Sequence, residues 1–158
     1  MRYFSFYLLL FTFVSKGQVT DNSILEPINN LFDGMEKGDS ALAHSAFFKD
    51  AMLITVLEKE GDISLRKETV EPFLMAIASP KQVQWHEPIW DVKINQDGNF
   101  AHVWASYAFF LGNKFNHCGI DTFQLIKTKS GWKIFYLADT RKKAGCEVPE
   151  EITKQYSK

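Results

Sequence analysis

The sequence predicts an α+β domain in which a curved antiparallel β-sheet wraps around helices drawn from the first half of the chain. Two changes of rhythm carry that expectation. Before residue 80, apolar side chains recur at helical spacing in short stretches; from residue 83 to 141 the period becomes two and stays there, interrupted only at turn-forming residues. Size and composition agree: 158 residues, 46% hydrophobic and 15% aromatic, suffice for one compact core, and two domains are not expected.

The elements follow in order. Asp21, Asn22 and Ser23 offer capping side chains, after which Ile24, Leu25, Ile28, Leu31, Phe32 and Met35 share one helical stripe that ends near Lys37, before Gly38. Asp39 or Ser40 caps a second, short helix expected to run to Phe48, with Leu42 and Ala46 inward and His44 outward. Residues 51–58 alternate as a strand, and Glu60-Gly61-Asp62 turns the chain into a partner strand over 63–66. Val70, Phe73, Leu74 and Ile77 then mark a third helix over 69–78, with Pro72 in its first turn and Pro80 beyond its end. Four long strands follow, joined at Gln96-Asp97-Gly98, Gly112-Asn113 and Lys129-Ser130-Gly131. The predicted order is α-α-β-β-α-β-β-β-β.

The first residues differ in kind. Arg2 precedes an almost wholly apolar run over 4–14, and small residues follow at Ser15 and Gly17, so residues 1–17 are expected to be a secretory signal peptide cleaved near Gly17-Gln18. The run is well short of the ~20 residues a spanning helix needs, which makes a permanent membrane anchor the weaker alternative. The domain is expected over 18–146, with a polar, loose tail over 147–158. In a secreted or periplasmic setting Cys118 and Cys146 are expected to pair, the alternative being two unpaired thiols.

Three segments carry a resemblance: 32–39 (FDGMEKGD), 98–104 (GNFAHVW) and 131–137 (GWKIFYL). With them the chain resembles the nuclear-transport-factor-2-like superfamily, including its SnoaL-like and ketosteroid-isomerase-like branches, over nearly all of residues 18–146. The resemblance implies a cone-shaped α+β fold with a pocket between helices and sheet, and frequent dimerisation through the sheet's outer surface. It implies no single function, because one fold hosts many chemistries.

If Gly112-Asn113 is a two-residue loop and both strands stay regular, Ala108 faces His117, Trp104 faces Asp121 and His102 faces Phe123, all on one inner face. Regular alternation adds His86, Trp90, Trp132 and Tyr136 to that face. Val103, Ala105, Tyr107, Phe109, Cys118, Ile120, Phe135 and Leu137 then fall outside, too apolar for a wet face and hence a reason to expect a homodimer. A bulge would exchange the faces, and Gly119 is where one is expected.

On this layout Asp121 and His102 are the catalytic candidates: a carboxyl in an apolar wall holds its proton tightly, and the imidazole lies diagonal to it at ~7 Å. Trp90, Trp104, Tyr136, His117, His86 and Phe123 are the ligand-binding candidates, aromatic walls with a few polar groups being usual for pockets. His117 is ~13 Å along its strand from Asp121, and His86 ~10 Å across two strands from His117, so no metal site is expected. No cofactor is expected: phosphate loops and nucleophile elbows have no counterpart in this sequence. Asp139 and Arg141 are placed outside as an ion pair. A net charge of −1 without a basic stripe excludes nucleic acid as the expected partner.

The resulting expectation is an exported pocket protein for a small apolar or aromatic ligand, read more readily as a binder than as an enzyme. One alternative is an isomerase or dehydratase using Asp121 with His102 or Tyr136. The other is a structural or partner-binding dimeric module.

Overall fold

The computed structural model of the protein describes residues 22–80 and 82–157. The expected signal peptide lies outside the described residues. A 3-10 turn, Asn22–Leu25, leads into α1 (Glu26–Lys37) and α2 (Ser40–Ser45). The apolar stripe forms as expected, with Ile24, Ile28, Leu31 and Met35 buried. Gly38 ends α1 in the left-handed region at φ 71°, and Asp39 Oδ1 accepts the Leu42 N–H at 2.9 Å to cap α2. Strands β1 (Phe47–Lys59) and β2 (Asp62–Thr69) form the first hairpin, followed by α3 (Val70–Ala78). Then come β3 (Trp85–His86), β4 (Ile89–Asp97), β5 (Phe100–Leu111), β6 (Lys114–Thr128), β7 (Gly131–Thr140) and α4 (Glu150–Tyr156).

The α+β class holds, with one difference in the sheet. Its order is β2-β1-β7-β6-β5-β3, with β4 also on β5, and it is curved and unclosed. It is mixed rather than wholly antiparallel, because β1 runs parallel to β7. Turn signals fix the direction of neighbours in sequence, but β1 and β7 meet only after the rest of the sheet is laid down. The core lies between the sheet's inner face and the helices, where Ala101, Val103, Phe123, Leu125, Trp132 and Ile134 meet α1 and α3.

The sheet has four register shifts, one of them in β1 between Phe47 and Met52, and the other three decide which of the predicted side chains face that core. In β6 the ladder pairs Phe110 with Phe115 next to the turn and Phe109 with His117 beyond it, leaving Asn116 as the extra residue. Every later pair is displaced by one. Asp121 therefore opposes Ala105, not Trp104, and Phe123 opposes Val103, not His102. A second irregularity in β7 leaves Phe135 between Ile134 and Tyr136, so Trp132 and Ile134 face inward as expected but so do Leu137 and Asp139. A third lies in β4 between Trp90 and Lys93, where Asp91 adopts φ 51°.

The expected bulge at Gly119 does not form; Gly119 pairs regularly with Tyr107. Its lack of a side chain has another cause, since a Cβ there would overlap the Thr140 carbonyl.

The tail is ordered. Cys118 and Cys146 form a disulfide, and β6 bridges Lys142 through paired backbone hydrogen bonds of 2.8 and 2.9 Å. Val148, Ile152 and Tyr156 then pack with Trp90, Ala108, Phe110 and Cys118 on the sheet's outer side. The loose tail expected from its polar composition is thus a strap carrying a short amphipathic helix.

Candidate functional site

A cavity of about 430 Å³ opens between the inner face and the helices. Its body is apolar, formed by Leu31, Phe32 and Met35 of α1, Leu53 of β1, Phe73 of α3, Trp85, Phe109 and Leu137. Its far end is polar and gathers Thr55, Glu87, Tyr107, His117, Asp121, Asp139 and Arg141. Each inward position of β5, β6 and β7 follows from the phase the bulges impose. Glu87 has a different origin: Glu87-Pro88 separates β3 from β4, since proline cannot donate to the ladder, and Ala108 N–H bonds to the Pro88 carbonyl at 3.2 Å.

Two subsets divide the polar end. Asp139 is buried and saturated: its Oδ1 accepts the Thr55 hydroxyl at 2.8 Å, and its Oδ2 accepts Arg141 Nε–H at 2.6 Å and the Tyr107 hydroxyl at 3.3 Å. The fully buried Tyr107 hydroxyl has one proton, shared between Asp139 and the nearer Thr140 carbonyl at 2.9 Å. Burial, then the charge of Asp139, pushes the Tyr107 hydroxyl far above its ordinary range, so it stays a proton donor.

The second subset is Asp121 and Glu87. Asp121 is only 2% exposed, and its Oδ2 has no hydrogen-bond partner among the described residues. Burial foremost, then the nearby charges of Glu87 and Asp139, holds its proton well above the usual carboxylate range. Glu87 borders the cavity, so it keeps some accessible surface while protein atoms enclose it; burial and Asp139 push it up to about 8. Arg141 pulls both downward, yet its guanidinium is committed to Asp139. His117 lies between Tyr107 and Phe109, with ring centroids 5.6 and 5.1 Å away. Burial, reinforced by Arg141, lowers it to about 4, so it is neutral at neutral pH, and its Nδ1 lies 2.7 Å from Asn116 Oδ1. Such an end can exchange protons or grip a polar head while the apolar body holds a ring. Among the described residues no cluster of three or more His, Cys, Asp or Glu has metal-holding geometry.

Of the residues singled out from sequence, Asp121 and His117 line this cavity; His102, Trp104, Trp90, Tyr136, His86 and Phe123 do not. His102 pairs with Gln124 and Asn95, and Tyr136 with Gln124, on the outward phase of the sheet. Trp104 is 43% exposed on that side. Trp90 packs under the C-terminal strap, and His86 stacks on Tyr156 at 4.9 Å with Nδ1 3.4 Å from Glu36 Oε1. Phe123 faces inward but is core, edge-on to Phe32 at 6.1 Å. The trio of Trp104, His102 and Asp121 is therefore split across the sheet by the Asn116 bulge. Asp139 and Arg141, placed outside from sequence, are inside.

Sequence reasoning missed Glu87, Tyr107, Thr55, Asp139 and Arg141. Glu87-Pro88 was a usable signal, a charged residue at a forced break in an alternating stretch. For the others the alternation was visible but its phase was not.

An α+β cone with an inner-face cavity is the architecture of nuclear-transport-factor-2-like proteins, and the solved structures agree. The chain is 18% identical to an NTF2-like protein of unknown function from Shewanella baltica OS155, covering 77% of this chain and 93% of that one, with a TM-score of 0.57. It is 15% identical to a protein from Streptomyces avermitilis described as a "putative dehydratase" of the NTF2-like family, covering 77% and 95%, TM-score 0.59. It is 14% identical to a "putative aromatic ring hydroxylase" from Novosphingobium aromaticivorans, covering 80% and 88%, TM-score 0.59. At such identities the likeness establishes the fold. The model of the family described as "Putative lumazine-binding" matches residues 19–136, and the chain belongs to that family. No curated protein matches it.

Proposed function

We propose that the protein binds a small molecule in the inner-face cavity, with an apolar or aromatic body against Phe32, Phe73, Trp85 and Phe109 and a polar head at Asp121 and Glu87. The carrying observation is Asp121 Oδ2, a buried carboxyl oxygen without a hydrogen-bond partner among the described residues, at the end of a cavity of about 430 Å³. A buried polar atom left unpaired costs about 1–3 kcal/mol, which a ligand head can recover. The family's description as putative lumazine-binding supports a small-molecule ligand.

A second reading makes the pocket an isomerase or dehydratase, and the raised proton affinities of Asp121 and Glu87 favour it. In that reading Asp121 or Glu87 moves the proton, and Tyr107 and His117 take the supporting place assigned from sequence to His102 or Tyr136. Export is part of the proposal, and the Cys118–Cys146 disulfide is compatible with an oxidising compartment. So is a homodimer through the outer sheet face, now resting on exposed Phe100 and Trp104, because most of the apolar residues first assigned to that face are inside.

The test is a metabolite-library thermal shift on the protein and on Leu137→Trp, which fills the cavity. A ligand at a hundred times its Kd stabilises by about 2.7 kcal/mol, or roughly 5–10 °C for a domain of this size. The expected result is a shift in the parent protein that Leu137→Trp abolishes; an equal shift in both refutes binding in this cavity. Turnover of the hit decides between binder and enzyme.

A further inference from the structure

We infer that the pocket takes an organic cation: an aromatic or apolar body carrying a protonated amine or amidine, seated on Asp121 and Glu87. The inference rests on the small-molecule reading above and names its ligand class.

Acidic side chains lining the cavity outnumber basic ones, Glu68, Glu87, Asp121 and Asp139 against Arg66 and Arg141, so two carboxyls are kept neutral by protons. Asp139 and Arg141 pair directly, Nε to Oδ2 at 2.6 Å, with Thr55 and Tyr107 also directed at the carboxylate. That leaves Glu87, from the β3–β4 break, and Asp121, from β6, both in the cavity and without an ion pair among the described residues, with Arg141 acting on them only at longer range. Asp121 supplies the independent sign of a polar ligand group: it is 2% exposed and lines the cavity, with Oδ2 unpartnered among the described residues. The other titratable groups facing the pair do not supply the charge. His117 on β6 is neutral at neutral pH, Tyr107 on β5 is a neutral donor, and Arg66 on β2 lies 3.4 Å from Glu68.

The walls fit the same class. Phe32, Phe73, Trp85 and Phe109 present aromatic surface to the cavity, which attracts organic ammonium groups as well as flat rings. An anionic ligand would face four acidic side chains, with Arg141 and Arg66 already 2.6 and 3.4 Å from carboxylate oxygens. A neutral ligand would leave both carboxyls protonated and gain only a neutral hydrogen bond at Asp121 Oδ2.

Without ligand, both carboxyls stay neutral by keeping their protons, and a bound cation replaces one of them. One ammonium N–H···O contact to Asp121 Oδ2 forms, the carboxyl gives its proton to the buffer, and the charge of the site is conserved. Binding at pH 7 therefore releases about one proton per ligand, and affinity for the cation rises with pH as the pair ionises.

The experiment is isothermal titration of the full protein with three probes on one frame: tryptamine, tryptophol and indole-3-propionate. Each is titrated at pH 7 in two buffers of different ionisation enthalpy, and on Asp121→Asn, which keeps the shape of the carboxyl. The expected result is that tryptamine binds at least tenfold more tightly than the other two and releases close to one proton. Asp121→Asn should weaken tryptamine about 30-fold and leave tryptophol within about threefold. If tryptophol or the acid binds as well as tryptamine, or tryptamine binds without proton release, the inference is overturned while the pocket reading stands. If none of the three binds, the inference fails and the pocket reading loses support with it.

Discussion

Replacing Glu87 with glutamine should remove a large part of the protein's pH dependence, and the structure gives the size. Glu87 titrates near 4.5 in an unfolded chain and at about 8 in the fold, raised by burial first and Asp139 second. Below about pH 4.5 both states hold the proton, so the group costs nothing. Above it the unfolded chain loses the proton while the fold keeps it, and stability falls by about 1.36 kcal/mol per pH unit until the folded group titrates. Between pH 5 and 8 this amounts to roughly 4 kcal/mol. The glutamine side chain occupies nearly the same volume without a proton to lose, and removing Glu87 also relieves part of the rise at Asp121. The assay is urea denaturation of both proteins at pH 5, 6.5 and 8. The stability difference between variant and parent should move in the variant's favour by about 4 kcal/mol across that range. His117, held at about 4 in the fold, contributes the opposite slope below pH 6.5, but it does so in both proteins and cancels. A difference that moves by less than about 1 kcal/mol would mean that Glu87 is not held protonated, and the reasoning about the polar end would fail.

Gly119→Ala forces a Cβ into the Thr140 carbonyl, so β6 and β7 must separate; a loss of about 3 kcal/mol is expected in denaturant unfolding, and a loss below about 0.5 would refute the close approach. Cys146→Ser opens a loop spanning 28 residues of sequence separation, worth about 3–4 kcal/mol by loop entropy, and it should make the segment over 143–157 a preferred site of limited proteolysis. An unchanged digestion pattern would show that packing alone holds α4. Trp104→Glu, on the outer face at 43% exposure, should weaken any dimer at least tenfold by sedimentation velocity while leaving the monomer's stability within about 0.5 kcal/mol. An unchanged dimerisation constant removes the outer face as the interface.

The legible part of the fold was local. Ile24, Ile28, Leu31 and Met35 announced their buried stripe, Gly38 its end, and the turns at Gly61, Gly98, Gly112 and Gly131 the strand boundaries, because each signal lies within a few residues of its consequence. Asp121 and His117 were also correctly placed on the inward phase of β6. The errors began where one strand's phase was carried across to another.

The sequence by itself determined the class, the apolar composition of the core and the element order apart from the β3–β4 break and α4, since spacings of two and 3.6 are read along the chain. Only the tertiary structure decided which residues share the cavity. Asn116, Phe135 and the Asp91 region each insert into a ladder without disturbing the composition around them, yet each moves every later side chain to the opposite face. The parallel meeting of β1 with β7 then brings Thr55 to Asp139 across 84 residues of sequence, and Glu87, at the Pro88 break, joins Asp121 in lining the cavity. Such contacts depend on where distant backbones dock, which no local period encodes.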